Sequence, residues 1–455
     1  MPSPPGQDRS ATVWDIRSWG GRARARRTAG EIAKCRPVGQ NGAMRMITAD
    51  RLGGILAGIT GPGDGHGPRA VAPGSFATPV SLLNLMAEHL AAWRLFIVNA
   101  LDGIPERGVT HETIFVGPGM RRSADLRYYP CRLSLAPRLF TDTLPPDVVV
   151  LHTSTPRDGR VSMGIEVQVM TGALEAARAR NALVIAQVNP KMPFVHGDGV
   201  VDLAEIDFGV EIDQDLPVAP RASIDPVSRR IGQSIAALVP DGATVQAGIG
   251  ALPDAVLNEL SIRRGLRVWT ELVSDGYLRL ERAGALDPEV PITGTFMIGT
   301  PEFYAWVDDN PRVRLLRCEI TNDPGRIAEQ PAMVSVNTAL QVDLFAQNNA
   351  SRIRHRPYSG TGGAADFVVG AMRSAGGRSI IALPSWHAKS DSSTIVPQLD
   401  QPVTTLQPST VVTEQGVAEI FGRCQRQQAG NLIDRAAHPA ARGELRSAAR
   451  RLGLL

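Results

Sequence analysis

Short, almost wholly apolar runs recur along this chain, each followed by a Gly- or Pro-marked turn and then by a longer stretch whose apolar residues return every three or four positions. Runs of the first kind fall at 147–151, 183–188, 244–247, 266–269 and 379–383 and are read as strands. Stretches of the second kind fall at 79–88, 172–182, 227–238 and 253–260 and are read as helices, two of them opening with Pro in the first turn. Strand and helix in alternation is the βαβ rhythm, which predicts an α/β protein with two similar open domains and largely parallel sheets. Residues 1–43 are rich in Pro, Gly, Ser and Arg and carry no such pattern, so they are expected to form a disordered basic extension. The first clear helical pattern opens at Ile47, just after Met44 and Met46, which fits a translation start near Met44. Pro217, Pro220 and Pro226 disfavour both helix and central strand, marking a linker that predicts domains at 44–220 and 221–455.

Composition narrows the class. A chain of 455 residues, 43% of them hydrophobic, is long enough for a large core. The 48 Lys plus Arg nearly balance 45 Asp plus Glu, and much of the excess lies near the amino end, which is no footprint for nucleic acid. Cys35, Cys131, Cys318 and Cys424 are scattered, without a Cys-x-x-Cys pair or a His at ligand spacing, so neither a metal site nor a disulfide framework is suggested and a reducing cytoplasm fits. No apolar run approaches the roughly 18 residues of a membrane span, and no hydrophobic segment follows Arg26-Arg27 as an export signal would require. A cytoplasmic protein with no membrane partner is the expectation.

Three segments carry candidate chemistry. The first, 241–257, reads as strand, glycine turn (Gly248-Ile249-Gly250-Ala251-Leu252) and helix; glycines there let a ligand approach the backbone, and free amides at a helix start attract anions. A plain tight turn explains it about equally well, and Pro253 stands where a dinucleotide fingerprint would have its third glycine. The second is Glu271, just past the apolar run 266–269; in open parallel sheets ligands sit beyond the carboxyl ends of strands, which would place Glu271 near the Gly248 turn. An isolated loop glutamate is more often a solvated acid. The third is Ser359-Gly360-Thr361-Gly362-Gly363, a loop able to aim several N–H groups at an oxyanion or a phosphate. Weaker candidates are His196 with Asp198 as an acid/base pair, and Arg121, Arg122 and Arg127 as a basic rim, each with a structural or solvated-face alternative.

Taken in order, these segments resemble the acetyl-CoA hydrolase/4-hydroxybutyrate CoA-transferase family of class I CoA-transferases. The resemblance also rests on Asn189-Pro190-Lys191-Met192-Pro193, Ser274-Asp275-Gly276, Gly294-Thr295-Phe296, Asp308-Asp309-Asn310-Pro311, Thr321-Asn322-Asp323, Val336-Asn337-Thr338, Val411-Val412-Thr413-Glu414 and Ala437-His438-Pro439. It implies an acyl-CoA:carboxylate CoA-transferase acting on short acids of the acetate or 4-hydroxybutyrate class, with Glu271 as the catalytic nucleophile that carries a glutamyl-CoA thioester. It further implies that Gly248 to Leu252 hold CoA and that Gly360, Gly362 and Gly363 bind CoA or stabilise oxyanions. CoA would be a substrate, with no tightly bound cofactor, and the protein a homodimer. Ala364, Gln341, Thr394 and Gln415 depart from the family's usual Gln, Glu, Arg and Tyr. Acyl-CoA hydrolysis at the same site, a catalytically weak acyl-CoA-binding protein and, on the glycine turn alone, a nicotinamide-dependent oxidoreductase are the competing readings.

Overall fold

The computed structural model describes residues 43–455 apart from 64, 221–223 and 404, so the extension expected at 1–43 lies almost wholly outside the described residues. All eight strands of the larger sheet are parallel, in the order Arg45–Met46, Phe208–Glu211, Leu183–Val188, Val148–Thr153, Arg69–Val71, Trp93–Phe96, Val109–Thr113 and Leu126–Tyr128. The central run Val148–Thr153 is buried throughout, and its side chains alternate: Val148 and Val150 join one apolar cluster, Val149 and Leu151 the other. The apolar stretch Val148 to Leu151 therefore serves two cores at once, as expected of a parallel sheet covered on both faces.

The second sheet runs Arg267–Val268, Thr244–Ala247, Val334–Thr338, Arg378–Ala382, Thr410–Thr413 and Gly416–Glu419, parallel except for the closing hairpin. Its strands all lie after the Pro-rich segment, in which the described residues from 212 to the helix Pro226–Ala236 form neither helix nor strand. That helix begins where Asp225 caps the N–H groups of Val227 and Ser228, with Pro226 at the first position. The halves share a core: Ala77, Ile165, Val167 and Met192 pack in one cluster with Val245, Tyr277 and Leu315.

Expected and observed elements agree to within a few residues. The helix read at 253–260 starts two residues earlier, at Ala251–Glu259, because Gly250 with φ +108° turns the chain into it. Among the described residues no helix is long and apolar enough to cross a membrane, and no group of three or more His, Cys, Asp or Glu is placed to hold a metal.

Candidate active site

Beyond Val268 the chain leaves the second sheet, and Trp269 and Thr270 bridge to Thr293, which leaves Glu271 in a bend before the short strand Leu272–Ser274. The backbone carbonyl of Glu271 accepts from the N–H groups of Thr295 (3.0 Å) and Phe296 (3.1 Å), so the residue is pinned from the neighbouring strand. Its side chain enters the wall of a cavity of about 200 Å³. Gly248 and Ile249 of the first glycine segment line the same cavity, as do Gly360, Gly362 and Gly363 of the second. Three segments more than a hundred residues apart at the extremes thus meet at one site. Leu252 instead packs into the core, and Gly250 and Ala251 shape the turn and helix start without lining the cavity.

Asn322 donates to Glu271 Oε2 at 3.0 Å, and the N–H of Gly363 also donates to this carboxylate. Close approach is required: a Cβ on Gly363 would lie 1.9 Å from Glu271 Oε2 and 2.0 Å from Asn322 Nδ2. Only glycine admits both groups at once. Burial raises the Glu271 carboxyl to about 7, assisted by the charge of Asp366 and opposed by the two donors. A carboxylate poised near neutrality is both available as an anion and basic enough to attack.

A second carboxyl, Glu166, is almost fully enclosed and is pushed by burial to about 8, with the charge of Glu271 adding to the shift. One of its oxygens accepts from Gly74 N–H at 3.3 Å; the other has no partner. No reading of the sequence singled out Glu166, and Asn322 stood in a family-like segment without an assigned role. Neither stretch shows the paired glycines that marked the other two segments, so only their placement in space reveals them.

The acid/base pair expected of His196 and Asp198 does not form. His196 Nε2 lies 3.1 Å from Asp309 Oδ1, Asp198 accepts from the Arg317 N–H at 2.9 Å, and neither lines the cavity. The strand pairing of His196–Gly197 with Val313–Leu315 turns them to the outside of the site. Arg121 stacks over the Tyr358 ring at 3.9 Å and donates to the Tyr358 carbonyl, next to the 359–363 loop. Of the four departures from the family pattern, Ala364 lines the cavity, whereas Thr394 donates to the Pro384 carbonyl and Gln415 to Glu414.

Comparison with known proteins decides the family. Residues 106–220 match the acetyl-CoA hydrolase/transferase N-terminal domain and residues 299–449 its C-terminal domain. The chain belongs to the acetyl-CoA hydrolase/transferase family. It is 38% identical over 355 residues to the 4-hydroxybutyrate coenzyme A transferase of Clostridium kluyveri, covering 75% of this chain and 82% of that protein. It is also 38% identical over 328 residues to the succinyl-CoA:cyclohexane-1-carboxylate CoA transferase of Geobacter metallireducens, covering 70% of this chain and 74% of the relative. Among solved structures, RipA from Yersinia pestis superposes with a TM-score of 0.83 at 30% identity, over 90% of this chain and 98% of that one. The α/β architecture with largely parallel sheets is thus that of a CoA-transferase-type enzyme.

Proposed function

We propose that this enzyme exchanges CoA between an acyl-CoA and a short carboxylic acid, with Glu271 as the nucleophile. One observation carries the reading: Glu271 stands in the cavity wall between two glycine-rich backbone segments, its carboxylate oriented by Asn322 and Gly363 and raised to about 7.

The chemistry follows from that placement. An ionised Glu271 oxygen attacks the thioester carbonyl carbon, the oxyanion forms against the N–H groups of the 360–363 loop, and the C–S bond breaks to release CoA thiolate. The thiolate then attacks the carboxyl carbon of the acyl-glutamyl anhydride, expelling the acid and leaving CoA on Glu271 as a thioester. An acceptor carboxylate runs the two steps in reverse and regenerates the glutamate. No net proton or phosphate is consumed, because one thioester replaces another, so the cycle requires no tightly bound cofactor beyond CoA itself as substrate. In this reading Gly248 and Ile249 pack against CoA at the cavity mouth, where Ile249 is 55% exposed, while Gly250 to Leu252 hold the turn in shape.

The same reading includes a homodimer in the cytoplasm, which light scattering and fractionation test. The activity is tested by incubating the enzyme with acetyl-CoA and a panel of short acids, with mass detection of new CoA esters. New esters support transfer. Free CoA produced at the same rate with and without acids would instead support hydrolysis, and binding without either product would leave an acyl-CoA-binding protein.

A further inference from the structure

CoA is far larger than a cavity of about 200 Å³, so most of it must remain outside, leaving room within for the thioester and a short acyl chain. The mouth is marked by exposed Ile249, and the enclosed end is walled by Val98, Ile114, Leu133 and Phe296, each less than one-tenth exposed. Four amides line the cavity with them, Asn99, Gln168, Gln246 and Asn337; Gln168 is 3% exposed and its side-chain oxygen has no hydrogen-bond partner. Among the described residues no Arg, Lys or His lines the cavity, and Glu271 is its one charged side chain.

We propose that Gln168 is the polar end of an uncharged acyl subsite, which selects monocarboxylic acyl groups bearing a hydroxyl or similar uncharged donor and rejects acyl groups with a second carboxylate. The proposal rests on the CoA-transfer reading above. Gln168 is held rigidly for this role. Its backbone has φ +23°, a conformation side chains seldom adopt, and is fixed by donation to the Thr295 carbonyl at 3.2 Å and acceptance from Cys318 N–H at 3.1 Å. Thr295, between the strands Ile292–Gly294 and Phe296–Ile298, in turn donates through its N–H to the Glu271 carbonyl, so one residue sets both the nucleophile and the amide. Gln246 and Asn337 also present unpartnered side-chain atoms in the cavity, but they come from strands of the second sheet beside the Gly248 turn, on the CoA side. A buried amide oxygen without a partner gains a hydrogen bond when a hydroxyl arrives to donate and gains little from a methyl. A second carboxylate would be buried without a cation and beside Glu271.

The test uses the full chain as the Glu271→Gln variant, in which binding is read without turnover, titrated with butyryl-CoA, 4-hydroxybutyryl-CoA and succinyl-CoA. Removing the Glu271 charge favours succinyl-CoA, so any remaining preference belongs to the rest of the pocket. Succinyl-CoA should bind more weakly than 4-hydroxybutyryl-CoA by on the order of a hundredfold. Adding Gln168→Leu should weaken 4-hydroxybutyryl-CoA by about tenfold and leave butyryl-CoA unchanged or tighter. Equal affinities for the three esters, or a uniform loss of all three in Gln168→Leu, would overturn the proposal. Should the leucine variant not fold, wild-type kcat/KM for butyrate against succinate as acceptor decides, with comparable values overturning it. Selective binding by a chain that transfers CoA to no acid would sink the transferase reading alone.

Discussion

Replacing Gly363 by alanine is the most economical test of the site's geometry. The residue has φ −93° and ψ −1°, right-handed backbone that alanine adopts without strain, so the substitution acts through its methyl group alone. That methyl would lie 1.9 Å from Glu271 Oε2, whereas real contacts of this kind stay above 3.0 Å, so the carboxylate must retreat by 3.0 − 1.9 = 1.1 Å. Asn322 meets the same methyl at 2.0 Å and must move as well, which breaks the hydrogen bond that orients the nucleophile. Misplacing a reacting group by about 1 Å costs roughly a hundredfold in rate, or about 2.7 kcal/mol of barrier. Gly363→Ala should therefore lower kcat/KM for CoA transfer by about that factor. Its melting temperature should stay within a few degrees of wild type, since the displaced side chains face a cavity. Gly443→Ala, at a helical glycine where a Cβ meets nothing within 4 Å, serves as the control. Transfer by Gly363→Ala within threefold of wild type would refute the arrangement of Gly363, Asn322 and Glu271 described above.

Three further outcomes are expected. Asn322→Leu removes a donor that holds the Glu271 carboxyl down, so the acid limb of the kcat/KM profile, expected near pH 7 in the wild type, should move to higher pH; an unmoved limb would separate Asn322 from the titration. Glu166 is raised from 4.5 to about 8, so the stability it contributes is complete below pH 4.5 and is lost as pH rises through about 8. Relative to wild type, Glu166→Gln should then gain on the order of a few kcal/mol in urea unfolding at pH 8.5 over pH 5, and a pH-independent difference would contradict this. Valine at Gly248, where a Cβ would meet only Pro253 at 4.0 Å, should weaken CoA binding with little loss of stability. Valine at Gly250, where φ is +108°, should instead destabilise the fold by about 1–3 kcal/mol, as thermal unfolding would show.

Much of this architecture was legible because it is built from local signals. The run 183–188 and the helix at 79–88 reappear within a residue, since a parallel strand buried on both faces is a nearly continuous apolar run, broken here only by Gln187, and a covered helix is apolar on one side. Glu271 and the two glycine segments could be named because each ends an element, and in parallel sheets such ends converge. What escaped was whatever depends on contact between distant segments. Asn322, Glu166 and Gln168 look ordinary in their stretches and gain meaning only from what they face. His196 misled for the same reason in reverse: Asp198 is its neighbour in sequence, but Asp309, more than a hundred positions away, is its neighbour in space. Gly250, grouped in sequence with the CoA-binding glycines, also has a positive φ that the turn requires, a demand that no sequence pattern separates from ligand binding.

The central claim is that the Glu271 carboxylate itself, and not water, attacks the thioester. It is tested most directly by incubating the enzyme with acyl-CoA in the absence of any acceptor acid, treating with borohydride or hydroxylamine, and mapping the modified peptide by mass spectrometry. The account predicts that Glu271, linked to CoA as a thioester before trapping, is recovered as the γ-hydroxamate after hydroxylamine or as the primary alcohol after borohydride, with CoA thiol released and activity lost. Folded Glu271→Gln, which still binds CoA, should show neither modification nor turnover. A label on any other residue, or wild-type transfer rates in Glu271→Gln, would contradict it.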